Sequence, residues 1–272
     1  MLDDHCQGGL NQPGRLGGVP PSGFMWQSLL DHLPRLPLWL QQLTGVLTAG
    51  TIDLTLATEL IDHDPGFRAE FVRICRLAEL LSSDDRIENF VLFLGQDSLR
   101  TVAAGAFLTN FLGSQQSPLL HEFRRRSEQL ASMTYRLALS SNEVDGLEAY
   151  VAGLVHHVGT LPLLRTVDSR SEFVFSWFDF DHQSITEQWL RFGTDAIELG
   201  QAIALLWDYP TALKQSLRSV ADLTEDPGNE PLSRVVRIAE QLRAAGLSLT
   251  DAYDNIPSVL EGVPHSSISG SA

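Results

Sequence analysis

Residues 150–164 read YVAGLVHHVGTLPLL. This stretch decides the fold, because an apolar helical run ends there on two adjacent imidazoles, His156 and His157, closed by Gly159. Two readings of the pair stand side by side. Paired histidines at a helix end can ligate a divalent ion. Equally, one ring can cap the helix C-terminus while the other is a hydrogen-bonded core residue. The partners that the rest of the chain supplies must decide between them.

Working outward, the helical period continues in both directions. Asp64-Pro65 sets a capping carboxylate before a proline at the first helical position, which predicts a helix through Leu81. Within it Phe67, Phe71, Ile74, Cys75 and Leu77 recur at helical spacing. Ser117-Pro118 repeats the device ahead of a helix to about Leu139. Ser184-Ile185-Thr186-Glu187 has the form of a capping box, with Gly193 as the C-terminal stop. Thr194 is placed to cap a helix to about Trp207, and Tyr209-Pro210 opens another. A helix from about Leu232 to Ala245 ends at Gly246. Glycines at Gly45, Gly50 and Gly95 are read as breaks between helical hairpins. Glu172 to Phe180 alternates too poorly for a clear strand and stays open between helix and loop. The sum is an all-α chain without an internal repeat.

Composition narrows the function. The 272 residues carry 34 acids against 19 bases, a formal net charge of −15. Nucleic-acid and anionic-membrane binding both need clustered positive charge and are not expected. No apolar stretch reaches membrane-spanning length, and the first residues lack a signal-peptide core. Two cysteines, Cys6 and Cys75, make no disulfide framework, so a reduced cytoplasmic setting is expected. Phosphate loops of the GxxxxGK[ST] and GxGxxG types and the GxSxG elbow are missing. The pairs Asp84-Asp85 and Asp179-Asp181 read as solvated acids or caps, since neither sits in a calcium loop. From Asp168 to Asp226 there are 11 acids and 4 bases, a net −7. Residues 118–137 are locally basic, through Arg124, Arg125, Arg126 and Arg136.

Several motifs, taken together, resemble a known family. The pattern AGLVHHVGTLPLL resembles the AGLLHDIGKL signature of the HD superfamily of metal-dependent phosphohydrolases. Leu33-Pro34-Arg35-Leu36-Pro37 resembles the LPxLP opening of one branch, the HDOD domain, an HD-related output domain of bacterial signalling proteins. Glu59 to Pro65 resembles its ELIxxDP segment, and Ile87 to Gly95 its IxSVxxAIxxLG segment. Phe192 to Gly200, followed by Trp207-Asp208-Tyr209-Pro210, resembles FGxDHxxxGxxLLxxWxLP. The resemblance covers about residues 30–245. It implies two packed helical subdomains, 24–113 and 114–261; by composition, the Gly- and Pro-rich residues 1–23 are read as a disordered extension and 262–272 as a flexible tail.

The departures bear on chemistry. The HD superfamily holds one or two metal ions that turn water into a nucleophile. Here the Asp of the His-Asp pair is His157. The early histidine is replaced by Arg126, just before Ser127. His121 lies nearby but about 140° around the helix from it. Asp195 is kept, while the histidine expected after it is Ala196, and the later pair falls near Ser219-Val220. Arg126, His156, His157 and Asp195 are therefore read as vestigial site positions. No catalytic residue, metal or cofactor is expected, His156 and His157 remaining the candidates for metal ligation. The resemblance implies a non-catalytic signalling module that acts by protein–protein interaction on a signalling partner, with a homodimer as a further option. The alternative is an HD-type phosphohydrolase with an unusual ligand set drawn from His121, His156, His157, Asp195 or the 168–226 acids. A third option is an anion sensor built on Arg124–Arg126. Phe175, Trp177 and Phe178 are candidate interaction-patch residues, whereas Trp207 and Phe192 are assigned to the core.

Overall fold

The punctuation residues place the helices. A computed structural model describes residues 28–31, 33–78, 86–166, 182–219 and 230–246. Helices α1 (Leu38–Thr48), α2 (Leu54–Asp62), α3 (Pro65–Cys75), α4 (Ile87–Phe93) and α5 (Gln96–Gly113) come first. They are followed by α6 (Pro118–Ser141), α7 (Gly146–Val155) and α8 (Thr160–Leu164). The last four are α9 (His182–Phe192), α10 (Ala196–Leu206), α11 (Thr211–Ser219) and α12 (Pro231–Ala244). Every regular element among the described residues is helical, as the sequence predicts.

Asp64 caps α3 through a 2.8 Å bond accepted from the Phe67 N–H, with Pro65 in the first turn. Gly193 and Gly246 end α9 and α12 at φ 68° and 70°, where a Cβ is disfavoured. Other boundaries differ from expectation. Helix α3 stops at Cys75 and passes into a 3-10 turn, Arg76–Ala78, instead of reaching Leu81. There the Tyr135 hydroxyl donates to the Leu77 carbonyl at 2.9 Å, satisfying it without a helical amide. Helix α9 begins at His182, so Ser184 lies buried inside it and is not its N-cap. Asp195, not Thr194, caps α10, because its Oδ1 accepts from both Ile197 and Glu198 N–H at 2.9 Å. The Thr194 hydroxyl turns to the Glu198 carboxylate instead. Gly45 lies within α1 and breaks nothing. Ser117 precedes α6 without a side-chain capping bond.

Helix α7 sits in the middle of the packing. Its main neighbour is α6, and it also touches α5, α11 and α12. That position explains why every residue from Ala149 to Val155 is buried and why the run has no polar face. The close approach of α6 requires Gly153, since a Cβ there would come within 2.9 Å of the Ala131 Cα. One contiguous apolar core runs from Leu29 to Leu242, joining the two halves. Trp207 and Phe192 belong to it, as the sequence predicts. Trp207 also donates from Nε1 to the Pro34 carbonyl at 3.2 Å, tying the opening segment to the end of α10.

Candidate functional site

The two histidines follow α7 in a tight turn, residues 156–159. Backbone bonds from Val158 N to Val155 O and from Thr160 N to His157 O, 2.9 and 2.8 Å, fix its shape. Both rings are directed inward: His157 is fully buried and His156 is 6% exposed. They meet edge to face, with centroids 4.9 Å apart. The turn is seated on α10 by Gly159, whose backbone lies against Ala196 and Gly200.

A third group comes from α12. The ligand atoms of His156, His157 and Glu240 all lie within 4.8 Å of one another. His157 Nε2 stands 3.6 Å from Glu240 Oε1, beyond hydrogen-bonding distance. Glu240 is itself gripped by Arg243. Nη2 donates to Oε1 at 2.6 Å and Nε to Oε2 at 3.0 Å, a two-point fork on one carboxylate. Burial lowers the His156 pKa to about 3, with His157 and Arg243 pushing the same way and Glu240 opposing. Burial also works to raise the Glu240 carboxyl, but His157 and Arg243 outweigh it and hold the group far below the usual carboxylate range. The cluster is therefore a neutral His156 ring, a second imidazole, and a carboxylate committed to a guanidinium.

The other expected site residues have polar partners of their own. Arg126 donates from Nε to Glu122 Oε1 at 2.8 Å, and Arg125 takes the same carboxylate with two bonds. Those bonds, Arg125's foremost, lower the Glu122 pKa to about 2. Arg124 binds Glu128 and, across the helices, Glu70. The three arginines thus already hold carboxylates, with which an anion would have to compete. Asp195 is used up in capping α10, and the N–H of the adjacent Ala196 donates to the Gln188 side chain at 2.7 Å. His121 is exposed on α6, outside the cluster. Phe175, Trp177 and Phe178, with the Glu172–Phe180 run, fall outside the described residues. So do both chain ends.

Against this geometry, the HDOD domain profile matches residues 33–223, well over half of the chain. The chain belongs to the HDOD domain family. Solved structures share the HDOD fold at low identity. An HDOD domain protein of unknown function from Geobacter sulfurreducens is 19% identical, with a TM-score of 0.57 over 83% of this chain and 78% of that one. A candidate phosphohydrolase from Shewanella amazonensis SB2B is 18% identical, with a TM-score of 0.60 over 89% and 88%. A candidate signal transduction protein from Marinobacter aquaeolei VT8 is 16% identical, with a TM-score of 0.56 over 88% of this chain and 61% of that one. No curated protein matches significantly. No helix among the described residues is long and apolar enough to cross a membrane.

The HD resemblance implies a divalent ion, and this HDOD chain does not fit the one that hydrolysis uses. Hard, water-activating ions need several open oxygen ligands. Of the positions that would supply them, one is an arginine on Glu122, one caps a helix, and one is His157. The sequence did not disclose Glu240 and Arg243, which lie beyond the matched HDOD segment. One signal was present. Val236, Glu240 and Arg243 fall along one side of α12, against the buried stripe of Val235, Ala239 and Leu242. A carboxylate and a guanidinium bordering a core face mark a buried pair.

Proposed function

We propose that this HDOD chain is a non-catalytic signalling module that works by binding another protein. The observation that carries the reading is the fork of Arg243 on both oxygens of Glu240, beside His156 and His157. The carboxylate beside the two imidazoles is already charge-compensated by a group that binds no water to turn into a hydroxide nucleophile. The surface offers a place for a partner. Leu190 and Leu205 are 68% and 64% exposed on α9 and α10, within the stretch 168–226 that holds about half of the net negative charge. Exposed leucines in an acid-rich stretch of sequence suit a partner with a basic face, where charge sets orientation and on-rate. The signalling role attached to the Marinobacter protein by its description agrees with this reading.

The test is hydrolysis. The purified chain is assayed on nucleotide phosphoesters and cyclic dinucleotides with Mn²⁺ or Mg²⁺, beside His156→Ala and His157→Ala. The proposal expects no turnover in any of them. Turnover that disappears in a folded His156→Ala variant would establish the phosphohydrolase reading instead.

A further inference from the structure

Two donor atoms bound to one tetrahedral ion at about 2.0–2.2 Å stand roughly 3.3–3.6 Å apart. The 3.6 Å between His157 Nε2 and Glu240 Oε1 is that separation, and it is too long for a hydrogen bond. His156 stands in the same group of ligand atoms. Two imidazoles and one carboxylate form a donor set for zinc-class ions, not for Mg²⁺ or Ca²⁺. Yet a cation is already in place. Arg243 and Glu240 are each only 14% exposed, so their attraction is poorly screened, and a divalent ion on the same carboxylate would meet a guanidinium at close range.

We infer that His156, His157 and Glu240 form a latent zinc-class site that the Arg243 guanidinium keeps shut. The inference shares the Arg243–Glu240 fork with the non-catalytic reading, but the tests are separate: zinc affinity of Arg243→Met tests the shut site and hydrolysis tests that reading. An ion entering the site must move Arg243 off Glu240 and break both bonds of a largely buried ion pair, a strongly unfavourable exchange. The guanidinium supplies the positive charge the cluster needs, without a cofactor and without Lewis acidity. The donor set differs from that of a hydrolytic centre in having His157 where the resemblance places an aspartate.

The experiment replaces the guanidinium by a neutral chain of similar length. Wild type, Arg243→Met and the double variant Arg243→Met/Glu240→Gln are titrated with Zn²⁺ against a chromophoric chelator and melted with and without Zn²⁺. Co²⁺ absorption reports the coordination geometry. We expect zinc to bind Arg243→Met at least tenfold more tightly than wild type and to raise its melting temperature. The added Glu240→Gln change should abolish that gain. If Arg243→Met folds only with zinc present, that rescue supports the inference directly. If it does not fold even with zinc, Arg243→Gln, which keeps a donor for Glu240, is titrated in its place. The inference is overturned if either folded variant binds zinc no more tightly than wild type. It is also overturned if neither variant folds with zinc present, or if wild type already binds one zinc per chain as tightly as the variant.

Discussion

Gly159→Ala is the sharpest structural test of how the histidine turn is held. The backbone of Gly159 has φ −69° and ψ −18°, which any residue adopts, so alanine meets no conformational strain there. The whole cost is steric. A Cβ built at Gly159 would stand 2.8 Å from the Ala196 carbonyl carbon and closer still to Ala196 O and Gly200 N. The Ala196 oxygen is the nearest of the three, and restoring an ordinary contact to it needs the turn and α10 to separate by roughly 1.5 Å. No side chain can rotate to absorb this, because all three atoms belong to backbone. Overpacking a core commonly costs about 1–3 kcal/mol and sometimes more, and a clash between two backbones belongs at the upper end, about 3 kcal/mol. At roughly 2–4 °C per kcal/mol for a chain of this size, the melting temperature should fall by about 6–12 °C. Thermal melts followed by far-UV circular dichroism read this out. Gly45→Ala is the matched control: it lies inside α1 with nothing within 4 Å of its Cβ position. It should gain about 0.5–1 kcal/mol from helix propensity. If Gly159→Ala melts within a degree of wild type, the turn is not seated on α10 and the placement of His156 and His157 is wrong.

Three further outcomes are expected. Asp195→Ala removes the acceptor for two N–H groups of α10 and should cost about 0.5–2 kcal/mol in denaturant unfolding, a loss that Asp195→Asn largely avoids. Acid should destabilise the fold well before ordinary carboxylates titrate. The folded His156 has a pKa of about 3, so between about pH 6.5 and 3 the unfolded chain binds a proton that the folded chain does not. Stability then falls with decreasing pH by about 1.4 kcal/mol per unit for that proton, and the depressed Glu240 adds a loss in the same direction below about pH 4.5. Urea titrations across this range should show a shallower slope in His156→Gln, and an unchanged slope would contradict the assignment. Trp207→Phe loses the bond to the Pro34 carbonyl and the edge contact with Phe107 at 5.2 Å. It should cost about 1–3 kcal/mol, and a neutral result in denaturant unfolding would show that this tie carries no weight.

What could be read in the sequence was local. Asp64-Pro65, Gly193 and Gly246 mark helix ends through chemistry confined to a few neighbouring residues, and those boundaries agree with the structure. Thr194 and Asp195 show where that logic thins out. Both are good capping types, and the choice falls to the carboxylate because one oxygen can accept from two amides while the threonine hydroxyl finds Glu198. The half of the site carried by consecutive residues, His156 and His157, was legible as a pair. The other half was not, because Glu240 and Arg243 reach the histidines only through the packing of α12 against α6 and α7. Spacing along one helix cannot convey a contact set by how another helix crosses it. Arg126 has a partner that spacing could convey: Glu122 lies one helical turn earlier on the same helix and accepts from its Nε.

Arg243 holds the carboxylate that an ion on His156 and His157 would need. The most direct measurement is metal content by mass spectrometry, on untagged chain purified from cells grown with added Mn, Fe and Zn. The account predicts no stoichiometric metal in the wild-type protein. One or more tightly bound Mn, Fe or Zn per chain, lost in His156→Ala, would contradict it.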